Sequence, residues 1–435
     1  MHLKLSRGPY PDGDLTASTT LPLLSTVVTS SATRVLQGVI VCLFIFAPIV
    51  AAQTTDDLFN SRTLQRIDLE LHSSDWLKLK ENFLTNAYYP ADLIWNGQTV
   101  RNVGVRSRGR GSRNAHKPGL KVDFDQYATG QQFLGLKSLV LDNLTQDPSG
   151  IHEAVAMRFL ARLGIPAPRE AHVRLYVRGE YIGLYAVVEA IDKDMLARVY
   201  GAIGQDTQND GWLYEFTWQE DWRFTDLGSD LGAIKLRFEA TTHESETDER
   251  KYRKVQELIT LANQTPEDRL VEVLSPRFDI RAFVRFVAAQ AYLGDSDGFL
   301  GSQGMNNFYL YRLENQEVHV LIAWDTDNTF WGPLFPIRPD DTNVLMQKLM
   351  RIPEYNALWY AEIQRANEMA EADGWLNAEI IRNVELIDAA MREDPYKPYS
   401  NNSFESEAGS MLSFARERSA FVKCALAQGD RACGG

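Results

Sequence analysis

Oxygen-bearing side chains gather between Gly294 and Gly332 of this 435-residue chain. Gly294-Asp295-Ser296-Asp297-Gly298 is followed by Asn306-Asn307, a short strand–turn–strand stretch, and then Trp324-Asp325-Thr326-Asp327. Carboxylate and amide oxygens are the ligands that hard cations such as Mg²⁺ prefer. A further carboxylate is what a hydroxyl nucleophile needs to give up its proton. Asp297 therefore reads as a candidate base, and Asn307 with Asp325 or Asp327 as candidate metal ligands. The same oxygens would suit calcium, although the compact Asp-x-Asp-x-Asp-Gly loop of that site class is absent. Turn formation and helix capping are the other common use of such acids.

A second group is basic. Six Arg or Lys fall in the sixteen residues from Arg106 to Lys121, in a chain whose net charge is −13. Guanidinium forks and glycine-exposed main-chain N–H groups suit phosphate oxygens, which makes Arg106 and Arg108 candidate contacts. A solvated basic loop is the alternative. Lys121 lies on an alternating strand and could place its ammonium beside a phosphate; Lys117 is a second candidate. Glu189 closes the strand Gly183–Glu189 and is a candidate nucleotide contact or a plain surface carboxylate. Glu153, in a helix, is a candidate partner for the lysine.

These groups need elements to hold them. Ile67–Leu71 alternates as a strand, and Asn96-Gly97 between apolar segments predicts a hairpin. Val103–Arg108 and Leu120–Phe124 read as strands, Leu136–Leu141 as a buried strand, and Asp147 to about Leu163 as a helix stopped by Gly164. Two strands follow, Ala171–Val177 and Tyr181–Val188. Residues 60–190 thus predict a mostly antiparallel sheet with one principal helix, and residues 190–275 carry weaker signals. Asp279–Leu293 is apolar almost all round, so it predicts a buried helix that delivers the chain into Gly294-Asp295. Residues 343–423 read as mainly helical.

The totals agree with this organisation. The chain exceeds the roughly 250–300 residues that one core serves, so two lobes are expected. A strongly acidic balance argues against a general nucleic-acid binder. Arg34, the apolar run Val39–Val50 and Ala51-Ala52 predict a secretory signal peptide over residues 1–52, with an uncleaved anchor as the alternative. The run is short for a membrane span. Beyond Cys42, Cys424 and Cys433 form an even pair with a short loop, as expected for a disulfide in an oxidising compartment.

An Asp, an Asn about ten positions on, and an Asp after a hairpin is the order of parts in a protein-kinase site, though H-R-D and D-F-G are absent. The chain resembles the CotH (spore coat protein H) kinase family, a divergent relative of protein kinases, over roughly residues 64–335. Four landmarks carry the likeness. They are Arg106-x-Arg108-Gly with Ser112 and Lys117-x-x-x-Lys121-Val-Asp-Phe; Asp147-x-Ser-x-x-His152 leading to Leu163-Gly-Ile-Pro; Val177-Arg-Gly-Glu-Tyr-Ile-Gly-Leu-Tyr through Glu189 to Asp192; and Asp297-Gly…Asn306-Asn307-Phe-Tyr-Leu-Tyr…Trp324-Asp-Thr-Asp327 to Gly332. Gly119 departs from the pattern, where a larger residue is usual. The resemblance implies an α+β, two-lobed kinase-like fold, with an antiparallel N-lobe sheet over 53–190 and a mostly helical C-lobe over 191–435. It implies an exported kinase using ATP and Mg²⁺ or Mn²⁺, with Asp297 as base and Asn307 with Asp325 or Asp327 as metal ligands. Ser or Thr of secreted or surface proteins would be the acceptor. An inactive kinase-like adhesion protein and a kinase of small molecules or glycans are the alternatives.

Overall fold

Alternating apolar and polar residues shape the first half of the molecule. The computed structural model describes residues 53–201, 209–338 and 342–433. A short helix α1 (Thr55–Leu58) leads into β1 (Gln65–Leu71), α2 (Ser73–Glu81), β2 (Tyr89–Trp95), β3 (Gln98–Ser107), β4 (Leu120–Asp123) and β5 (Ser138–Asp142). Helix α3 (His152–Arg162) follows, then β6 (Glu170–Val177) and β7 (Glu180–Glu189). Along β1 the alternate residues Ile67, Leu69 and Leu71 are buried while Arg66 and Glu70 are exposed. The Asn96-Gly97 turn joins β2 to β3 as the sequence predicts. Both residues have positive φ, 46° and 80°, as a tight hairpin turn of this kind requires.

The strands follow the order β1-β2-β3-β4-β5-β7-β6 and close into a barrel. Closure comes from a parallel pairing of β1 with β6, from Gln65 opposite Val173 to Leu69 opposite Val177. The α+β class predicted from sequence holds, but the two-lobed plan with an antiparallel N-lobe sheet needs correction. The sheet is a closed seven-stranded barrel, and the chain from residue 52 onward is one compact unit. A strand's hydrophobic alternation fixes which face is buried, not which distant strand it pairs with, so the parallel closure leaves no local signal.

The barrel wall serves two cores. Inward residues such as Leu69, Leu93, Val105, Val122, Leu139 and Val187 fill the barrel. Val140, Leu184 and Val188, on the outer face of β5 and β7, join Val155 and Phe159 of α3 in a larger core shared with the later helices.

The second half continues with α4 (Lys193–Tyr200), β8 (Trp212–Phe216), α5 (Leu231–Lys235), β9 (Phe238–Ala240), α6 (Asp248–Gln264), α7 (Glu267–Leu274) and α8 (Ile280–Leu293). Then come β10 (Phe308–Arg312), β11 (His319–Ala323), α9 (Val344–Arg351), α10 (Pro353–Glu371), α11 (Trp375–Glu393) and α12 (Asn401–Gln428). The second sheet has four strands in the order β11-β10-β8-β9. Its β8 and β9 fall in the stretch the sequence leaves weakly marked. Helix α8 is buried along almost its whole length, as its composition predicts.

The expected Cys424–Cys433 disulfide is formed and ties the chain end to α12. The predicted signal peptide lies outside the described residues. Among the described residues no helix is long and apolar enough to cross a membrane.

Candidate active site

Three elements deliver the predicted oxygens to one place. Helix α8 ends on Gly294, whose φ of 64° is the left-handed conformation that glycine adopts without strain. The chain then turns through Asp295, whose carboxylate accepts from Gln290 Nε2 at 2.9 Å and from the Asp297 N–H at 3.0 Å. Asp297 follows, half-buried, and its Oδ2 accepts from the amides of both Asn306 and Asn307 at 3.1 Å. On the β10–β11 hairpin, Phe308 pairs with Ala323, so Asn307 and Trp324-Asp325 stand at the same end of the two strands.

The main chain is unusual at this end. Asn307 and Asp325 both have positive φ, 56° and 48°. Non-glycine residues held this way cost energy and concentrate at functional sites.

Around these lies a nest of acids wider than the sequence suggests. Ser112, Asp142, Asn143, Leu144, Gln146, Asp147, Glu153, Asp325 and Asp327 enclose a cavity of about 20 Å³. Burial pushes Asp325 up to about 6, helped by Asp142, while the Arg108 guanidinium pulls it back. Burial also raises Asp327 and Glu153 well above the carboxylate range, with their acidic neighbours adding to it. Asp295 rises to about 7, again mainly by burial. Asp297 is raised by burial too, but the Asn306 and Asn307 amides stabilise its charged form.

Arg108 brings a cation to the edge of this nest. It lies 3.6 Å from Asp142 and 5.4 Å above the Trp324 ring. Its N–H donates to the Gly119 oxygen, and Leu120 pairs with Leu141, so Gly119 stands between Arg108 and Asp142. A Cβ there would meet the Arg108 oxygen at 3.3 Å. Gly119, the departure noted in the sequence, leaves Arg108 room to reach the acid.

The other predicted contacts divide. Arg106 and Lys121 face each other across β3 and β4, on the outer row that continues to Val140. Two residues along a strand is roughly 7 Å, so Lys121 lies one pleat from the Arg108–Asp142 row. It is part-exposed, with Asp123 at 4.0 Å. Arg106 is engaged with Asn86 at 3.1 Å and with its neighbour's carbonyl, Ser107 O, at 3.0 Å.

Lys117 lies within electrostatic reach of Asp142 but spends its ammonium on another acid. Its side chain is 2 % exposed and bonds Asp394 at 2.7 Å and the Leu184 oxygen at 2.8 Å. Glu189 is likewise taken up elsewhere: Arg169 and Arg198 hold its two oxygens at 2.7 and 2.5 Å. As placed, both are structural ion pairs rather than phosphate contacts. Sequence reasoning missed Asp142 and Asp147. The local signs were Asp142 at the end of the strand Ser138–Asp142 and the place of Asp147 in a family landmark.

The metal expected from the sequence can be tested against these donors. Among the described residues no three His, Cys, Asp or Glu side chains are grouped to hold a metal ion by themselves. Mg²⁺, however, takes one or two protein carboxylates and completes its shell with water and phosphate oxygens. Asp325 and Asp327, half-buried and hydrogen-bonded to each other, form such a pair. A bound cation would offset the repulsion that raises both carboxyls. The donor chemistry fits.

Arg418 of α12 braces the arrangement from behind. It is fully buried and donates to the oxygens of Ala291, Tyr292 and Pro333 at 2.8–2.9 Å, and to that of Phe335. It thereby joins the end of α8 to the segment beyond Asp327.

Comparisons with known proteins identify the family. Inner spore coat protein H of Bacillus subtilis (strain 168) is 23% identical over 377 residues, spanning 84% of this chain and 98% of the relative. Among solved structures, a Helicobacter pylori proinflammatory kinase, CtkA, is similar over 74% of this chain and 94% of its own, at 11% identity and a TM-score of 0.32. A HipA, HipB and operator DNA complex from Shewanella oneidensis MR-1 gives 12% identity over 82% of this chain and 73% of that one, with a TM-score of 0.35. Scores this low carry no structural argument. The family described as "CotH kinase protein" matches residues 105–422, which span β3 to α12 and every acid of the cavity. The chain belongs to the CotH kinase family.

Proposed function

We propose that this chain is an exported kinase that moves the γ-phosphoryl group of ATP, with Mg²⁺ or Mn²⁺, onto Ser or Thr of secreted or surface proteins. The observation that carries this reading is Asp297, held by two amides beside the half-buried pair Asp325 and Asp327. Asp297 accepts the acceptor hydroxyl's proton, and Asn306 and Asn307 keep its carboxylate charged and aimed. Asn307, Asp325 and Asp327 hold the metal, which when bound neutralises charge on the phosphate oxygens.

Arg108 balances the nest, and Lys121 is the phosphate lysine, since Lys117 is already committed to Asp394. In this reading residues 53–190 serve the nucleotide phosphates and residues 191–435 the base and metal. The leader over residues 1–52 and the Cys424–Cys433 pair support export.

A kinase-like surface-binding protein without activity is the competing reading. The acids weigh against it, because they outnumber the Arg108 guanidinium beside them and a binding module gains nothing from clustered like charges. The test is to incubate the chain lacking residues 1–52 with γ-labelled ATP and Mg²⁺ or Mn²⁺, alone and with exported proteins. Label on Ser or Thr supports the kinase. Metal-dependent ATP binding without transfer to any protein favours the inactive reading.

A further inference from the structure

His152 belongs to one of the four family landmarks, yet the base and the metal pair can be assigned without it. It opens α3, and its buried ring reaches the segment that leaves β11. Nδ1 lies 2.8 Å from the main-chain oxygen of Asp327. A carbonyl can only accept, so Nδ1 carries the proton. Nε2 faces Glu407 of α12 at 3.3 Å, with Asp147 at 3.9 Å. The ring stands edge-on to Phe330, centroids 5.5 Å apart, and Phe330 does the same against Phe414 of α12 at 5.2 Å.

The turn after Asp327 is also fastened to the base. The Ser296 N–H donates to the Asn328 oxygen at 3.1 Å, and the Phe330 N–H donates to Leu293 at 2.7 Å. His152 supplies the anchor on the opposite side. Asp325 and Phe330, at the two ends of this turn, both have positive φ, so the turn is held in a conformation it would not choose alone.

We propose that His152 is a positioning residue: seated on α12 through Glu407 and Phe330, its Nδ1–H fixes the Asp327 main chain and so aims the Asp325–Asp327 carboxylate pair. The benefit to metal binding rests on the kinase reading. The positioning itself belongs to the chain alone, so the two can fail separately.

The test compares His152→Ala, His152→Asn and His152→Gln. The Asn amide places its N–H near the position of Nδ1, whereas the Gln amide places it near Nε2. The first readout, without nucleotide or metal, is hydrogen exchange at the Ser296 and Phe330 amides. One lost hydrogen bond should speed exchange about fivefold in the Ala and Gln variants, with Asn near wild type. The second is the Mg²⁺ concentration that half-saturates ATP binding, followed by the fluorescence of Trp324 and its neighbours. It should rise about fivefold for Ala and Gln and be restored by Asn.

Unchanged exchange in all three variants, or Asn and Gln behaving alike, overturns the proposal. A purely structural loss would lower the melting temperature without separating Asn from Gln. If Ala does not fold, the contrast between Asn and Gln decides. If the exchange pattern holds but wild type shows no Mg²⁺-dependent ATP binding, the kinase reading falls and the positioning stands.

Discussion

Asp394 and Glu189 are buried, as is Glu153, yet their surroundings are opposite. Asp394 meets the Lys117 ammonium at 2.7 Å and also accepts the N–H groups of Leu184, Tyr396 and Lys397. Glu189 lies between two guanidinium groups. Asp325, Asp327 and Glu153 instead face other acids, and burial with mutual repulsion raises all three. Buried charge that is fully paired holds a fold together. Buried charge of one sign has no such use, and is retained where a ligand or a proton is to be handled.

The largest expected effect lies beside the second set, at Asp297. Asp297→Asn keeps the size of the side chain but removes the proposed base, so phosphoryl transfer should fall about a hundredfold to ten-thousandfold. Mg·ATP binding should largely survive. Near-normal turnover by a correctly folded variant would remove Asp297 from the role.

Next in size is the paired set. Asp394→Ala leaves Lys117 buried without its anion and should destabilise the protein by about 3–5 kcal/mol, read by denaturant unfolding. Gly183 lies so close to Asp394 that a Cβ would sit 2.6 Å from its carboxylate, so Gly183→Ala should act in the same direction. A loss below about 1 kcal/mol for Asp394→Ala would mean that the pair contributes little.

Lys121→Ala sharpens the comparison. A charge-assisted phosphate contact is worth roughly tenfold to a hundredfold in affinity, so ATP binding should weaken by that factor at nearly unchanged melting temperature. Lys117→Ala should do the reverse, lowering the melting temperature first. Equal loss of ATP affinity in both would undo the distinction.

The last effect is a slope in pH. Glu170 has two buried oxygens without hydrogen bonds, and burial with Asp142 and Asp147 raises it to about 8. A carboxyl raised in the folded state is released more readily on unfolding. Stability therefore declines as pH climbs from the ordinary glutamate range toward about 8. Glu170→Gln should flatten that decline in thermal melts between pH 5 and 8. An unchanged slope would show that Glu170 already has a partner in solution.

What the residues alone revealed follows the range of the interactions. Asp297, Asn307, Asp325 and Asp327 were legible because buried helix, turn and hairpin lie in one short stretch. Lys121 and Lys117 could not be told apart, because the partner that removes Lys117 lies 277 positions away. Asp142 and Asp147 come from a strand end and a helix approach, and joined the site only once β5 and α3 packed against the later hairpin. The strands themselves were visible in their alternation. Their closure was not, since β1 and β6 meet through a parallel pairing that neither strand announces.

That closure also bears on how the chain meets other proteins. An open sheet exposes unpaired N–H and C=O groups that can template a neighbour's strand, a hazard for any protein kept at high local concentration. The barrel has no such margin. In the second sheet the end strand β11 is bonded to its own chain at Arg277 and Pro166, and β9 at the other end has only three residues. A protein built this way is protected against edge-to-edge aggregation, and whatever docks on it must be recognised through loops, helices and side chains rather than by adding a strand to the barrel.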